Sequence, residues 1–226
     1  MTLQVLDAQG AQQALSTTLD STGQALVGST AVADPTTGKK AVVTPFGEQL
    51  VSNDGVTPCY RACKLAFAPV ATPTDILVIQ GSATKTVRIK IIQIGGVATA
   101  QGNMPVQLIR RSTAGTIGSA VLTAITAGAH DNTNDGAATA VISTVGTANY
   151  TTPGTQVAIV GVGRVNMPAI TSGAVTGPLS FDFCLHEDKA LILRGTSDYL
   201  WINLNGTAIP AGGVFDILIE FEEDAS

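Results

Sequence analysis

The chain has 226 residues, of which 45% are apolar and 13% are charged, and it carries a net charge of −5 at pH 7. Soluble domains carry about 25% charged residues, so part of this surface is expected to be covered by other subunits or solvated by the abundant Thr, Ser, Asn and Gln. The 12 basic residues are scattered, whereas binding to nucleic acid phosphates needs clustered Lys and Arg. The composition therefore argues against nucleic acid as a partner.

The N-terminal sequence Met1-Thr2-Leu3-Gln4 lacks the charged region and apolar core of a secretion signal. No apolar run reaches the roughly 18 residues that a bilayer-spanning helix needs. The three cysteines, Cys59, Cys63 and Cys184, are an odd number and predict no disulfide framework. We therefore expect a protein that is made in the cytoplasm, stays reduced while it folds and has no membrane partner.

Residues 1–58 are predicted to form an extended N-terminal arm. Turn signals such as Asp34-Pro35-Thr36-Thr37-Gly38 recur every ten to fifteen residues. The β-prone pieces between the turns, for example residues 40–44 and 49–51, are too short to bury a core of their own. A segment of this kind can add a strand to the edge of a sheet, either in its own subunit or in a neighbour.

Strand patterns dominate residues 59–226. Residues 76–80 form an apolar run, which predicts a central strand buried on both faces. Residues 86–91 alternate between apolar and polar side chains, and residues 92–94 then change phase. Such a change within one strand predicts a β-bulge or a change of partner strand.

Further strands are expected wherever apolar side chains occupy alternate positions between short turns marked by Gly, Pro and Asn. They cover residues 104–111, 121–126, 137–144, 156–165, 181–185, 191–193, 200–204 and 215–222. Together these patterns predict an all-β fold, a jelly-roll-like antiparallel β-sandwich over residues 59–226 that follows the extended N-terminal arm.

The cysteine and histidine positions suggest no catalytic centre. The spacing of Cys59 and Cys63 is compatible with half a zinc site, but no second pair exists, and two small buried thiols are the preferred interpretation. His130 and His186 are the only histidines, and His186 is interpreted as part of a polar hairpin turn.

Residues 131–136 partly match a calcium-binding loop. Oxygen-bearing side chains occupy its first, third and fifth positions and Gly136 the sixth, but Ile142 stands where a bidentate Glu is required. An exposed turn is the preferred interpretation, and whether the loop at 130–136 binds calcium stays open.

Two further sequence patterns are better explained by a structural role than by a binding or catalytic role. Gly161-Val162-Gly163 begins like a dinucleotide-binding motif but lacks its third glycine and helix, so a glycine-bearing strand or bulge is predicted. Tyr199 and Trp201 alternate with Leu200 and Ile202 on the opposite face of their strand, and we expect them to be buried. The sequence thus predicts no catalytic, cofactor-binding or metal-binding residue, and a protein that is not an enzyme.

Several segments of the sequence resemble those of a known class of proteins. They lie at residues 76–89, 104–113, 130–134, 137–141, 193–196, 204–206 and 212–217. These segments are similar to those of structural proteins of tailed-bacteriophage virions, and the resemblance covers about residues 70–222.

The resemblance implies a jelly-roll-like structural protein of the mature virion that assembles as a homotrimer. Members of this group decorate or cement the capsid, or lie at a vertex, neck or tail, and they carry no catalytic residues. We expect a capsid decoration or cement protein whose partners are copies of itself and, through the N-terminal arm, the major capsid protein or another virion protein.

Two other functions are less well supported by the sequence. A receptor- or carbohydrate-binding module of a head or tail fibre would need exposed aromatic residues on loops, but most of the ten aromatic residues lie in predicted strands. A sugar isomerase of the cupin type would need clustered His and Glu ligands, which two distant histidines do not supply.

Overall fold

The structure of the protein is a computed structural model. It describes residues 4–6, 12–14, 18–19, 25–26, 57–174, 176–184 and 190–225. The strands in these ranges are β1 (Gln4–Leu6), β2 (Gln12–Ala14), β3 (Thr18–Leu19), β4 (Ala25–Leu26), β5 (Cys59–Phe67), β6 (Asp75–Gln80), β7 (Lys85–Val97), β8 (Gly102–Arg111), β9 (Gly115–Thr116), β10 (Val121–Ala124), β11 (Ala127–Ala129), β12 (Val141–Gly146), β13 (Thr152–Pro153), β14 (Gln156–Met167), β15 (Leu179–Asp182), β16 (Leu191–Arg194), β17 (Tyr199–Asn203) and β18 (Val214–Ala225). A short 3₁₀ helix covers Ile170–Ser172.

The chain divides into two units, Met1–Asp54 and Gly55–Ser226. In the first unit β1 pairs with β2 and β3 pairs with β4, each antiparallel. The β-prone pieces at residues 40–44 and 49–51 lie outside the described residues. The extended arm over residues 1–58 therefore stays a prediction.

The second unit contains two six-stranded antiparallel sheets, and β9 and β13 form a separate two-stranded sheet. The front sheet has the strand order β10-β12-β6-β17-β8-β14, and the back sheet has the order β11-β5-β18-β7-β15, with β16 also paired to β7. In chain order, β5 pairs with β18 and β6 pairs with β17. β7 pairs with both β15 and β16, and β8 pairs with β14. This nested pairing is that of one long hairpin rolled into a sandwich, which defines a jelly roll. The predicted all-β, jelly-roll-like sandwich is confirmed.

Strand β7 contains the predicted bulge. Its buried residues are Val87 and Ile89 in the first half and Ile92 and Ile94 in the second. The pairing with β18 skips Lys90, so one extra residue shifts the phase and both halves turn aliphatic side chains into the core. β16 pairs with the first half and β15 with the second, so the predicted change of partner strand is confirmed as well.

A long segment between β8 and β14, residues 112–155, is named the insert. Its strands β10 and β12 extend the front sheet beside β6, while β11 extends the back sheet beside β5. As a result β6 lies between β12 and β17, and its residues from Asp75 to Ile79 are all buried. The predicted central strand at residues 76–80 is therefore confirmed.

Several predicted strand boundaries were wrong, and hydrogen bonds explain two of them. The strand expected at residues 137–144 begins at Val141, because the amides of Thr139 and Ala140 donate to the carboxylate of Glu223 instead of to a neighbouring strand. The strand expected at 181–185 ends at Asp182, whose side chain accepts the amide N–H of Cys184 in a turn.

Candidate interaction surfaces

The outer face of the front sheet carries a second hydrophobic cluster, separate from the core. Trp201 lies at its centre, beside strand residues Val78, Ile109 and Val145, and the insert covers it with Ala120 and Tyr150. The ring of Tyr150 meets that of Trp201 edge to face, with centroids 4.9 Å apart. We name this the outer cluster. The predicted burial of Trp201 is confirmed, and the chain's own insert provides the cover.

A buried ion pair lies beside the outer cluster. Arg111 donates two hydrogen bonds to the carboxylate of Asp75, at 2.8 and 3.0 Å. Asn203 donates a third, at 2.7 Å, and the Arg111 guanidinium lies 5.0 Å from the ring centroid of Trp201. All three polar residues are buried. Arg111 and Asn203 already occupy the Asp75 carboxylate. Because the three residues lie on β6, β8 and β17, their hydrogen bonds fix these strands to one another.

Glu223 ties the insert to the back sheet. Its buried carboxylate accepts the amides of Thr139 and Ala140, the shortest bond being 2.6 Å, and also the Thr139 hydroxyl at 2.9 Å. The Nζ of Lys85 lies 3.4 Å away. Buried residues alternate along β18, and Glu223 follows Phe221 on the buried face. This alternation is the sequence signal that marks the acid as buried.

The two cysteines of β5 do not form half of a zinc site. Residues four apart on a strand lie about 13 Å from each other, which is too far for two sulfurs to bind one ion. All three cysteines are free, with Cys63 exposed and Cys59 and Cys184 partly buried. The prediction of two buried thiols was wrong for Cys63, because it lies with Arg61 on the outward face of β5, opposite the buried Tyr60 and Ala62.

We expect Cys63 to react first when the protein is treated with a maleimide at neutral pH. Burial raises the pKa of Cys59 and of Cys184, and the nearby Glu220 raises the pKa of Cys59 further. The thiolate is the reactive form, so a raised pKa slows both of these thiols. A time course of peptide mass spectra measures the order. The substitution Cys63→Ser should remove the fast phase. Modification of Cys59 before Cys63 would contradict the prediction.

The loop at 131–136 forms the expected exposed turn. The Asp131 carboxylate accepts the amides of Thr133 and Asn134, at 3.0 and 3.2 Å. The Asn134 side chain and these amides lower the pKa of Asp131. His130 is exposed, and His186 lies outside the described residues. In the ranges whose side chains are described, no group of three or more His, Cys, Asp or Glu residues is placed to hold a metal ion. Calcium binding by this loop is untested.

The two glycines of the Gly161-Val162-Gly163 sequence lie in strand β14, at the edge of the front sheet. The register with β8 shifts between Ile159 and Gly161, so the predicted glycine-bearing strand with a bulge is confirmed. A Cβ on Gly163 would lie 2.7 Å from a methyl carbon of Leu179. The missing side chain therefore lets β15 pack closely against β14.

Exposed aliphatic side chains gather at both edges of the front sheet. On β14, Val157, Ile159 and Val162 are 47–67% exposed, and we name them the β14 row. At the opposite edge the residues are Val121, Leu122 and Val141, which are 40–50% exposed and are named the β10–β12 edge. Groups of this kind, unlike single exposed residues, mark surfaces that proteins use for contact.

The back sheet presents one aliphatic side chain through a bulge. Leu65 and Ala66 together lie opposite Asp216, and the Ala66 amide donates to the Asp216 carboxylate at 2.8 Å. Ala66 has a φ of 50°, in the left-handed region that non-glycine residues rarely adopt. The bulge turns Leu65 outward, where it is 78% exposed, beside a groove of about 530 Å³ whose lining includes Gly95, Pro168 and Leu218. Nothing in the local sequence pattern signals this bulge.

The other half of the same surface is charged. Ion pairs join Arg61 to Glu220, Lys90 to Glu222 and Arg88 to Asp224 across neighbouring strands. The hydrogen bond that Lys90 donates to the Glu222 carboxylate raises the pKa of Lys90. The charges on this half of the back sheet are therefore balanced in pairs.

Taken together, the fold and its surfaces define a jelly-roll β-sandwich with a long insert folded over its front sheet. The described residues contain no helix long and apolar enough to cross a membrane. Compared with known proteins, the chain matches no protein-family model, no curated protein and no solved structure.

Proposed function

We propose that this protein is a non-enzymatic structural protein of a bacteriophage particle, a homotrimeric decoration or cement protein of the capsid. The observation that carries the proposal is the grouping of exposed aliphatic side chains at two places, the β14 row and the β10–β12 edge. Such groups are costly on a free monomer and favourable where subunits meet.

The electrostatics of these surfaces support contact between subunits. Between Arg111 and Arg164 the sequence carries only two acidic residues, Asp131 and Asp135, and no basic one. Both aliphatic edges of the front sheet lie in this stretch, so few charges would have to leave water when a partner binds.

Burial of the exposed aliphatic side chains favours association, and the loss of translational and rotational freedom and the ordering of side chains oppose it. Many copies on one particle would add avidity.

The N-terminal arm, residues 1–58, supplies the second contact in this proposal. It binds the major capsid protein or another virion protein, in the manner that the resemblance of residues 70–222 to tailed-phage virion proteins implies. The jelly-roll body assembles with its own copies, and the arm anchors the assembly to the shell.

The test is a deletion of residues 1–50. We expect the shortened chain to remain a folded trimer and to lose binding to particles that lack the protein. Sedimentation of the particles with the added chain measures binding, and the full-length chain is the control. Shortened trimers that bind the particle with full affinity would refute the proposed role of the arm.

The alternative of a receptor- or carbohydrate-binding module receives less support. Sugar-binding sites commonly use exposed aromatic rings. Among the aromatic side chains that the structure describes, each is buried or partly buried.

A further inference from the structure

We propose that the subunits of the trimer meet head to tail, with the β14 row of one copy against the β10–β12 edge of the next. This inference rests on the homotrimer of the proposed function and specifies the surfaces that form it.

The two surfaces lie at opposite edges of one sheet. In the strand order of the front sheet, β10 and β14 are the first and the last, and five spacings of about 4.8 Å separate them by roughly 24 Å. A contact of one edge with its own counterpart would form a two-fold dimer and leave the other edge uncovered. A head-to-tail contact uses both edges in every subunit, and a rotation that closes makes it a ring.

Both surfaces continue the outer cluster. In the strand register Leu122 lies opposite Val145, and Ile159 lies opposite Ile109. Val145 and Ile109 both belong to the outer cluster that the insert covers. One apolar band therefore crosses the outer face of the front sheet. Its middle is covered within the chain and its two ends are exposed, so a neighbouring copy extends a packing arrangement that the fold already contains.

Charge favours contact at these edges. Each chain carries a net charge of −5, so two copies repel each other overall. Neither the β14 row nor the β10–β12 edge contains a charged residue, and the nearest cation in sequence to the row, Arg164, donates to the side chain of Asn103. The edges are thus surfaces on which two copies can meet without bringing their acidic side chains together.

The contact is formed by side chains rather than by an added strand. The pairing of β14 with β8 shifts between Gln156 and Ala158 and again between Ile159 and Gly161. Such irregularities interrupt the continuous backbone ladder that strand addition requires. The side chains of Val157, Ile159 and Val162 remain directed outward at these positions.

Two variants of the full chain test the inference, Val162→Glu on the β14 row and Leu122→Glu on the β10–β12 edge. Both side chains are exposed, so the fold tolerates the change, which circular dichroism verifies. Sedimentation equilibrium should show a trimer for the wild type and a monomer for each variant alone. Leu65→Glu, on the back sheet, is the matched control and should remain trimeric.

Mixing the two variants distinguishes head-to-tail from two-fold contact. The Val162→Glu chain keeps an intact β10–β12 edge and the Leu122→Glu chain an intact β14 row, so an equal mixture should form a dimer through one native contact. Variants that both stay trimeric would overturn the inference while leaving the proposed function in place. Monomeric variants whose mixture forms no dimer would overturn the head-to-tail arrangement. A monomeric wild type would refute the homotrimer itself.

Discussion

Replacing Arg111 by methionine is expected to destabilise the sandwich by about 3–5 kcal/mol, the usual cost of removing one member of a buried ion pair. The change would leave the Asp75 carboxylate buried with a single remaining side-chain donor, Asn203. It would also remove the guanidinium that lies over Trp201. The loss therefore affects strands β6, β8 and β17 of the front sheet together.

The neighbouring residue provides the matched control. Arg110 pairs with Asp198, but both of these side chains are partly exposed, and exposed pairs contribute about 0–1 kcal/mol. Denaturant unfolding of Arg110→Met and Arg111→Met compares the two sites directly. Equal losses for the two variants would contradict a special role for the buried pair. A second change, Asp75→Leu in the Arg111→Met chain, should recover part of the lost stability, because it removes the unpaired charge.

The sequence predicts the body of the fold because the physics of a strand is local. The apolar run at residues 76–80 and the phase change after Ile91 each report burial through the local pattern of side chains alone. The bulge in β7 is therefore predictable from the sequence. The nested pairing of β5 with β18 is a contact between the two ends of the domain, and no local pattern specifies it.

The surfaces are harder to predict than the core. Trp201 indicates that something covers the front sheet, but the insert is rich in small neutral residues, and the strands predicted in it do not indicate that it covers this face. The pair of Asp75 and Arg111 joins two strands, and neither residue indicates its partner in the sequence. Leu65 is exposed only because the backbone at Ala66 departs from the regular strand. These features depend on tertiary geometry, so the candidate contact surfaces had to be found in the structure.

The two ties of the insert explain why its edge can serve as a rigid contact surface. At one end Asn149 accepts the amide of Thr74 and donates to the carbonyl of Thr72. At the other end Glu223 accepts the amides of residues 139 and 140. Strand β12 lies between these ties in the chain and pairs with β10, so the two ties flank the strand that carries the β10–β12 edge. Loosening either tie should weaken assembly without altering any exposed aliphatic side chain.

We expect Glu223→Gln to destabilise the protein by about 2–4 kcal/mol, because a carboxamide keeps the size of the carboxylate but presents only one acceptor oxygen to the amides of Thr139 and Ala140. Its NH₂ group would face donors, and Lys85 would lose its nearest negative charge. The substitution should therefore free residues 137–140 from the back sheet before the sandwich itself unfolds.

The adjacent residue again supplies the control for this prediction. Glu222 lies on the outer surface, where it pairs with Lys90 at 2.6 Å and is partly exposed, so Glu222→Gln should cost no more than about 1 kcal/mol. Hydrogen exchange distinguishes local from global effects, since the amides of Thr139 and Ala140 should exchange faster in the Glu223 variant and at the wild-type rate in the Glu222 variant. Unchanged exchange at both amides in Glu223→Gln would mean that the strand geometry of the insert, rather than this carboxylate, holds residues 137–140 in place.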